Sequence, residues 1–264
     1  MGRQLDYFEQ LEALAGQQGG YFYPWRAVLG PGNGEDAYTQ LVEDHLSPDK
    51  VMLDAGCGHG TDMLAFAPKV RRFIGYDAVE SFIAIARRRA LEAGLTNVEL
   101  VLGNSSPRFN GGAARIPVAE DTLDLIVSRR GPTNWIADAR RVCRPGARLI
   151  QLNPLPGPEA PWNNELPEDL RFADNPANPG RPELALQIEA ALTAAGLRLD
   201  KSQVFDVPEV FSEPEELYRA LTFMRFEPET PSWDVARPHL ERLFARHDQI
   251  ELRQRRFLWT AVAD

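Results

Sequence analysis

The spacing of apolar and polar residues shifts several times along this chain, and each shift marks an element. A mostly polar helix is predicted over residues 3–15, followed by Gly19-Gly20 and the aromatic segment Tyr21-Phe22-Tyr23-Pro24-Trp25. A second helix is predicted near 35–46, ahead of Ser47-Pro48. From there short apolar runs alternate with helical spacing, the pattern of a parallel sheet with crossover helices. Val51-Met52-Leu53 reads as a buried strand running into a glycine-rich turn, and the helix after it carries Met63, Leu64, Phe66 and Ala67. Phe73-Ile74-Gly75-Tyr76 forms the next strand. Residues 79–93 place Phe82, Ile83, Ala86 and Ala90 on one helical face, with Gly94 as a C-terminal cap. Further strands fall at 98–102, 123–127 and 147–152, the last after the turn Arg144-Pro145-Gly146. Proline and glycine crowd 154–182, which predicts a long loop. A helix near 183–195, a strand over 197–207, helices near 213–224 and 234–247, and a strand over 250–262 complete the series.

Composition narrows the class. The chain has 264 residues, enough to bury a large core as one domain. Cys57 and Cys143 are its only cysteines, too few for a disulfide framework or a zinc cluster. The polar N-terminus and the lack of any membrane-length apolar run predict an unexported, cytoplasmic chain with no membrane partner. A net charge of −9 argues against a broad nucleic-acid footprint. Two arginine clusters, 87–89 and 253/255/256, read as solvated faces or as a local RNA contact. The oligomeric state has no sequence signal.

The stretch Asp54-Ala55-Gly56-Cys57-Gly58-His59-Gly60 lies between a strand and a helix, where open α/β sheets bind ligands. A dinucleotide fingerprint needs glycine at position 61, which is Thr61. Asp54 would also repel a pyrophosphate, whereas it suits a cation. Both points disfavour a nicotinamide-dependent oxidoreductase. Asp77, followed by Ala78, ends the next strand, where a carboxylate can accept both hydroxyls of a ribose or can simply cap the following helix. Asn104 and Ser105 follow the third strand and Ser128 ends the fourth.

In these segments the chain resembles class I S-adenosylmethionine-dependent methyltransferases. Asp54 to Gly60 resembles that family's glycine-rich motif, Tyr76-Asp77 its ribose-binding acidic motif, and Gly103-Asn104-Ser105 its adenine-side segment. The stretches 116–127 and 141–150 resemble the approaches to its fourth and fifth strands. The resemblance spans roughly 35–153. It implies a doubly wound, mostly parallel seven-stranded Rossmann-like sheet with helices on both faces and an antiparallel last strand. It further implies S-adenosylmethionine as cofactor, held by Asp54, Ala55, Gly56, Cys57, Gly58, Gly60, Asp77, Ala78, Asn104, Ser105 and Ser128.

The acceptor side is read from position alone. A single domain over 1–264 is expected, with 1–34, 154–182 and 209–248 added around the substrate. Methyl transfer from a sulfonium needs alignment and a dry pocket, and no metal. His59, Tyr23 and Asn134 are candidate catalytic groups, with His59 equally readable as a packing residue. Tyr21, Tyr23 and Trp25 are either a hydrophobic staple or a flap. Arg129, Arg130 and Asn153 are candidate substrate ligands, the two arginines as an anion clamp or as a solvated turn. Phe211, Leu217, Leu221, Phe223, Met224 and Phe226 either line an apolar wall or fasten a lid helix. The expected activity is methylation of a small organic acceptor, with an RNA methyltransferase or a non-catalytic cofactor-binding module as alternatives.

Overall fold

The strand Val51–Ala55 is buried at every position, as happens when helices cover both faces of a sheet. The computed structural model describes residues 6–171, 181–225 and 230–264, with 181–183 described for their backbone alone. In chain order the elements are α1 (Tyr7–Gln18), β1 (Val28–Leu29), α2 (Glu35–Glu43), β2 (Val51–Ala55), α3 (Thr61–Phe66), β3 (Arg72–Asp77), α4 (Glu80–Glu92) and β4 (Val98–Leu102). There follow β5 (Leu123–Arg129), α5 (Ile136–Val142), β6 (Cys143–Leu155), α6 (Arg181–Ala194), β7 (Arg198–Phe211), α7 (Pro214–Leu221), α8 (Trp233–Arg246) and β8 (Ile250–Ala263).

The strands form one sheet in the order β1-β7-β8-β6-β5-β2-β3-β4. β2 to β6 are parallel. β8 returns antiparallel between β6 and β7. The doubly wound sheet with an antiparallel last strand is therefore present, with eight strands where seven were expected. The extra one is β1, whose Val28 and Leu29 pair with Val210 and Glu209 of β7. Two exposed residues carry no periodicity, so nothing in the sequence marks them as a strand. β2 lies between β5 and β3, from which the chain winds off in opposite directions. That switch point opens a crevice at the carboxyl edge of β2 and β5.

Two apolar layers hold the helices on. On one face Trp135 stacks on Trp259, ring centroids 6.0 Å apart, among Ile136, Leu184, Ile188 and Leu192 of α5 and α6. On the other, Tyr38, Val42, Met63 and Phe66 of α2 and α3 cover Met52, Leu125 and Leu152. Each fully buried side chain of this size contributes about 1.5–3 kcal/mol. A third cluster joins Trp162, Leu166 and Leu170 to Phe211, Leu217, Leu221, Leu240 and Leu243.

Some expectations are corrected here. The stretch predicted as a plain loop over 154–182 contains 3-10 turns at Asn163–Glu165 and Glu168–Leu170, pinned by those buried apolar residues; 172–180 lie outside the described residues, as does Phe226. Phe211, Leu217 and Leu221 sit inside the third cluster and fasten α7. The first helix starts at Tyr7 instead of residue 3 because Asp6 caps it. Its Oδ1 accepts the N–H groups of Phe8 and Glu9, and Glu9 accepts the N–H of Asp6. Among the described residues no helix is long and apolar enough to cross a membrane.

Candidate active site

The notch is built by backbone bonds between β2 and β3. The N–H groups of Gly56 and Cys57 both donate to the Tyr76 carbonyl, at 3.0 and 2.9 Å. The Gly58 N–H donates to Asp77 Oδ2, and Asp77 Oδ1 accepts the N–H of Val79. Asp77 thus ties the glycine turn to the residue before α4 while lining the notch; the first N–H groups of that helix go to Glu12 instead. Gly58 has φ +51° with open space where a Cβ would stand. Gly60, at φ +84°, would put a Cβ 2.9 Å from Met63 Cε and 3.2 Å from Ala86 Cβ. One glycine therefore opens the notch and the other closes the turn onto α4.

Asp54 is 3 % exposed, and its carboxyl makes no hydrogen bond among the described residues. Burial, with Asp62 nearby, pushes its carboxyl well above the usual carboxylate range. A desolvated acid without a partner is the complement of a cationic ligand. Ala55 is buried behind it. Cys57 is wedged against Gly75, where a Cβ would lie 2.9 Å from Cys57 Sγ. Burial pushes this thiol far up, so the residue fills the turn and is no nucleophile.

Hydroxyls continue the notch along β3 to β5. Tyr76 donates to Ser105 Oγ at 3.0 Å, and Ser105 donates to Asn134 Oδ1 at 3.0 Å. Asn134, a candidate catalytic group, is therefore the end of a relay with Ser105. Asn104 Oδ1 accepts the N–H of Ser106, and Ala78 is half-buried beside Asp77. Ser128 donates to the Ala55 carbonyl at 2.7 Å. Gln151, which the sequence reading passed over, donates to the carbonyls of Gly131 and Pro132 and so holds the turn after β5. Its signal was a polar residue in an otherwise apolar strand.

The aromatic segment crosses above. His59 Nδ1 accepts the N–H of Tyr21 at 3.1 Å, and its Nε2 lies 3.1 Å from Thr61 Oγ1. Phe22 packs on the same ring at 4.6 Å. Burial, then the charges of Arg89 and Arg130, lower the His59 pKa to about 4. Both ring nitrogens are occupied and the ring is neutral, so His59 fastens the segment. Tyr21, Tyr23 and Trp25 each contact Phe223 edge-on at 5.8, 5.5 and 5.3 Å, making an aromatic wall. Met224 packs with the cluster formed by Leu11, Val79 and Phe82.

The two arginines after β5 part company. Arg129 is saturated internally: Nη1 donates to Glu35 at 2.8 Å, Nη2 approaches Asp62 at 2.9 Å and bonds Thr39, and its guanidinium lies 4.5 Å over the Tyr38 ring. Burial opposes its charge, but Asp62, Tyr38 and Glu35 outweigh that and keep it protonated. The expected pairing of Arg129 with Arg130 as a clamp is not what the structure places there. Arg130, in a left-handed backbone conformation at φ +62°, lies 5.4 Å from the Tyr23 ring centroid. Asn153 is on the opposite face of the sheet from Arg129, its Oδ1 accepting from Trp259, a core role. Sequence reasoning also missed Glu35 and Asp62, since nothing local links them to an arginine far along the chain.

Five of the six cationic residues in the two clusters are partnered, Arg256 being the exception. Arg87 bonds the Leu100 carbonyl, Arg88 pairs with Glu92, and Arg89 bonds the His59 carbonyl. Arg253 and Arg255 share Asp206.

Residues 52–149 match the family described as Methyltransferase domain. The uncharacterized methyltransferase YcgJ of Bacillus subtilis is 28% identical over 182 residues, covering 66% of this chain and 68% of that protein. Its crystal structure superimposes with a TM-score of 0.58, covering 86% of this chain and 98% of that one at 19% identity. A functionally unknown protein from Deinococcus radiodurans R1 gives a TM-score of 0.61 at 22% identity, with 97% of each chain covered. Further curated relatives are matched over 20% to 53% of their own length. With the motif order, the notch and the strand order all in agreement, residues 52–149 form a methyltransferase domain of the class I, S-adenosylmethionine-dependent kind.

Proposed function

We propose that this protein methylates a small organic acceptor, held between the glycine notch and the aromatic wall of Tyr21, Tyr23, Trp25 and Phe223. The observation that carries the reading is Asp54, a buried carboxyl without a hydrogen-bond partner at the switch point of the sheet. S-adenosylmethionine, when bound, supplies a methyl group on a cationic sulfur. Asp54 answers the positive charge of that molecule, Asp77 accepts from its ribose, and Ser105 with Asn104 faces its adenine. Ala55, Gly56, Cys57, Gly58, Gly60, Ala78 and Ser128 shape the surface these groups share. His59 and Phe22 hold the aromatic segment down, which keeps water from the reacting centre.

A small acceptor is supported by the aromatic wall and by the charge. Of the arginine clusters that suggested RNA, Arg87, Arg88, Arg89, Arg253 and Arg255 are taken up by Glu92, Asp206 and backbone carbonyls. Tyr23, beside Arg130, is the hydroxyl on the acceptor side best placed to hydrogen-bond the acceptor atom that receives the methyl group. The segments 1–34, 154–182 and 209–248 supply this side of the site on the same reading.

Calorimetric titration with S-adenosylmethionine tests it. One-to-one binding is expected, weakened about tenfold or more in Asp54→Asn, since a charge-assisted contact contributes about 1.5–3 kcal/mol. Absence of binding at millimolar ligand ends the proposal. Transfer of labelled methyl into fractionated lysate, read separately for metabolites, RNA and protein, identifies the acceptor class; label confined to RNA overturns the small-molecule reading.

A further inference from the structure

Arg256 is the charged side chain whose surroundings the methyl-donor site does not explain. It stands on β8 opposite Phe205 and Pro154, at the carboxyl edge, and is 4 % exposed. Its Nε is sealed from solvent and bonds nothing, and the guanidinium makes no hydrogen bond among the described residues. The nearest carboxylate oxygen is Glu35 Oε1, 3.5 Å from Nε. The same oxygen is the nearest for Arg130, at 3.8 Å, while Glu35 Oε2 is bonded to Arg129. A single carboxylate is therefore shared by three guanidiniums.

Charge counting follows. Arg129, Arg130 and Arg256 bring three positive charges, and Glu35 with Asp62 brings two negative ones. Glu209 accepts from Trp25 Nε1 and lies near enough to Arg256 to act on it electrostatically, but among the described residues it forms no ion pair with Arg130 or Arg256. The guanidiniums here outnumber the carboxylates ion-paired to them by one, an arrangement that an anionic ligand would complete. The two under-bonded guanidiniums, of Arg130 and Arg256, are the ones with donors to offer. Both lie close enough to Tyr21 to act on its hydroxyl electrostatically. Arg130 also touches Tyr23 and adopts a left-handed backbone that a non-glycine residue takes at a cost.

We propose that Arg130 and Arg256 bind the carboxylate of an aromatic acceptor whose ring packs against Tyr21, Tyr23, Trp25 and Phe223. Two guanidinium forks suit the planar, two-oxygen geometry of a carboxylate. The missing charge is one unit, which fits a monocarboxylate better than a phosphate monoester with its near double charge. The aromatic wall offers edge-on and face-on contacts to a flat ring. The inference rests on the reading of this chamber as the acceptor site.

The experiment uses the full chain loaded with S-adenosylhomocysteine, after a separate titration has read the nucleoside site alone. The probes are 4-hydroxycinnamate, its primary amide and phenyl phosphate, followed by calorimetry and ligand-observed NMR. The carboxylate should bind at least about tenfold more tightly than the amide, and Arg256→Gln and Arg130→Gln should each remove that preference. Nucleoside affinity should be unchanged in both variants. Arg256→Gln should also raise Tm, because it deletes an uncompensated cation, whereas a structural arginine would lower Tm on removal. An amide bound as tightly as the carboxylate, a carboxylate affinity unaltered in the glutamine variants, or a preference for phenyl phosphate overturns the proposal. A wild-type protein that binds the nucleoside and ignores the carboxylate sinks this inference and leaves the methyltransferase reading standing. Failure of the nucleoside titration strikes that reading instead. Should Arg256→Gln not fold, Arg130→Gln, at the more exposed of the two positions, decides.

Discussion

The imidazole of His59 accepts the backbone N–H of Tyr21 through Nδ1, at 3.1 Å. That bond exists only while Nδ1 carries no proton. The folded pKa is lowered from 6.5 to about 4 by burial and by Arg89 and Arg130. Its stabilisation of the docked segment is therefore fully present above pH 6.5 and is lost as the pH falls through that window toward 4. The protection factor of the Tyr21 amide, its exchange rate corrected for the intrinsic pH dependence, should fall over that range. His59→Asn, which keeps an acceptor and cannot titrate, should flatten the dependence. A Tyr21 amide equally protected at pH 4 and pH 7 in the wild-type protein contradicts the assignment.

Asp54 gives a second pH effect of opposite location, at the nucleoside. Its carboxyl is raised by burial and by Asp62, and a cation favours the ionised form. Affinity for S-adenosylmethionine should fall as the pH drops through that raised value, with a proton released on binding. Calorimetry in buffers of different ionisation enthalpy reads the proton directly, and Asp54→Asn should abolish the release.

Arg129 is a structural residue, and its removal should be severe. Arg129→Met leaves Asp62 with the Tyr38 hydroxyl but no cation, and Glu35 with its weaker partners. Breaking one side of a buried ion network costs about 3–5 kcal/mol, which urea unfolding would show as a lower midpoint with an unchanged slope. A loss below about 1 kcal/mol would place Arg129 with ordinary surface pairs.

Glu12 of α1 accepts the N–H groups of Glu80 and Ser81 at the start of α4, at 2.7 and 3.2 Å. A carboxylate at a helix N-terminus is stabilised by the unpaired N–H groups and the helix dipole. Glu12→Ala should cost about 0.5–2 kcal/mol and should raise hydrogen exchange in α1 before the sheet is affected. Uniform exchange changes across the molecule would count against a local role.

Gly60→Ala tests the turn. The added methyl meets Met63 Cε and Ala86 Cβ, on a backbone at φ +84°. The left-handed conformation alone costs a non-glycine residue about 1–2 kcal/mol, so Tm should fall even with saturating nucleoside. An unchanged Tm would mean the turn has an alternative path.

The notch was legible because its information is local. Val51-Met52-Leu53, the three glycines and Asp77 lie within one strand-turn-helix-strand unit, where spacing alone fixes who meets whom. The ion network was not, because Glu35 and Arg129 stand 94 positions apart and neither segment shows why it should face the other. Arg256 illustrates the harder case. Beside Arg253 and Arg255 it reads as part of a surface cluster, yet strand alternation sends it to the α2 face while its neighbours pair with Asp206. Periodicity shows that two sides exist; only the neighbouring strands decide which one is dry. His59 was readable as base or packing residue from its position, and the choice depended on a segment 38 residues away.

The aromatic segment is fastened unequally at its two ends. At the far end, Trp25 and Arg26 donate to the carboxylates of Glu209 and Glu216, and Val28 with Leu29 is laced into β7. At the near end the fastening is His59 and the ring of Phe22. A strip sewn down firmly on one side and tacked on the other peels from the tack. An opening at that end would lie beside the glycine turn, so the nucleoside and the acceptor would share an entrance, and the protonation of one ring would bear on how easily it opens.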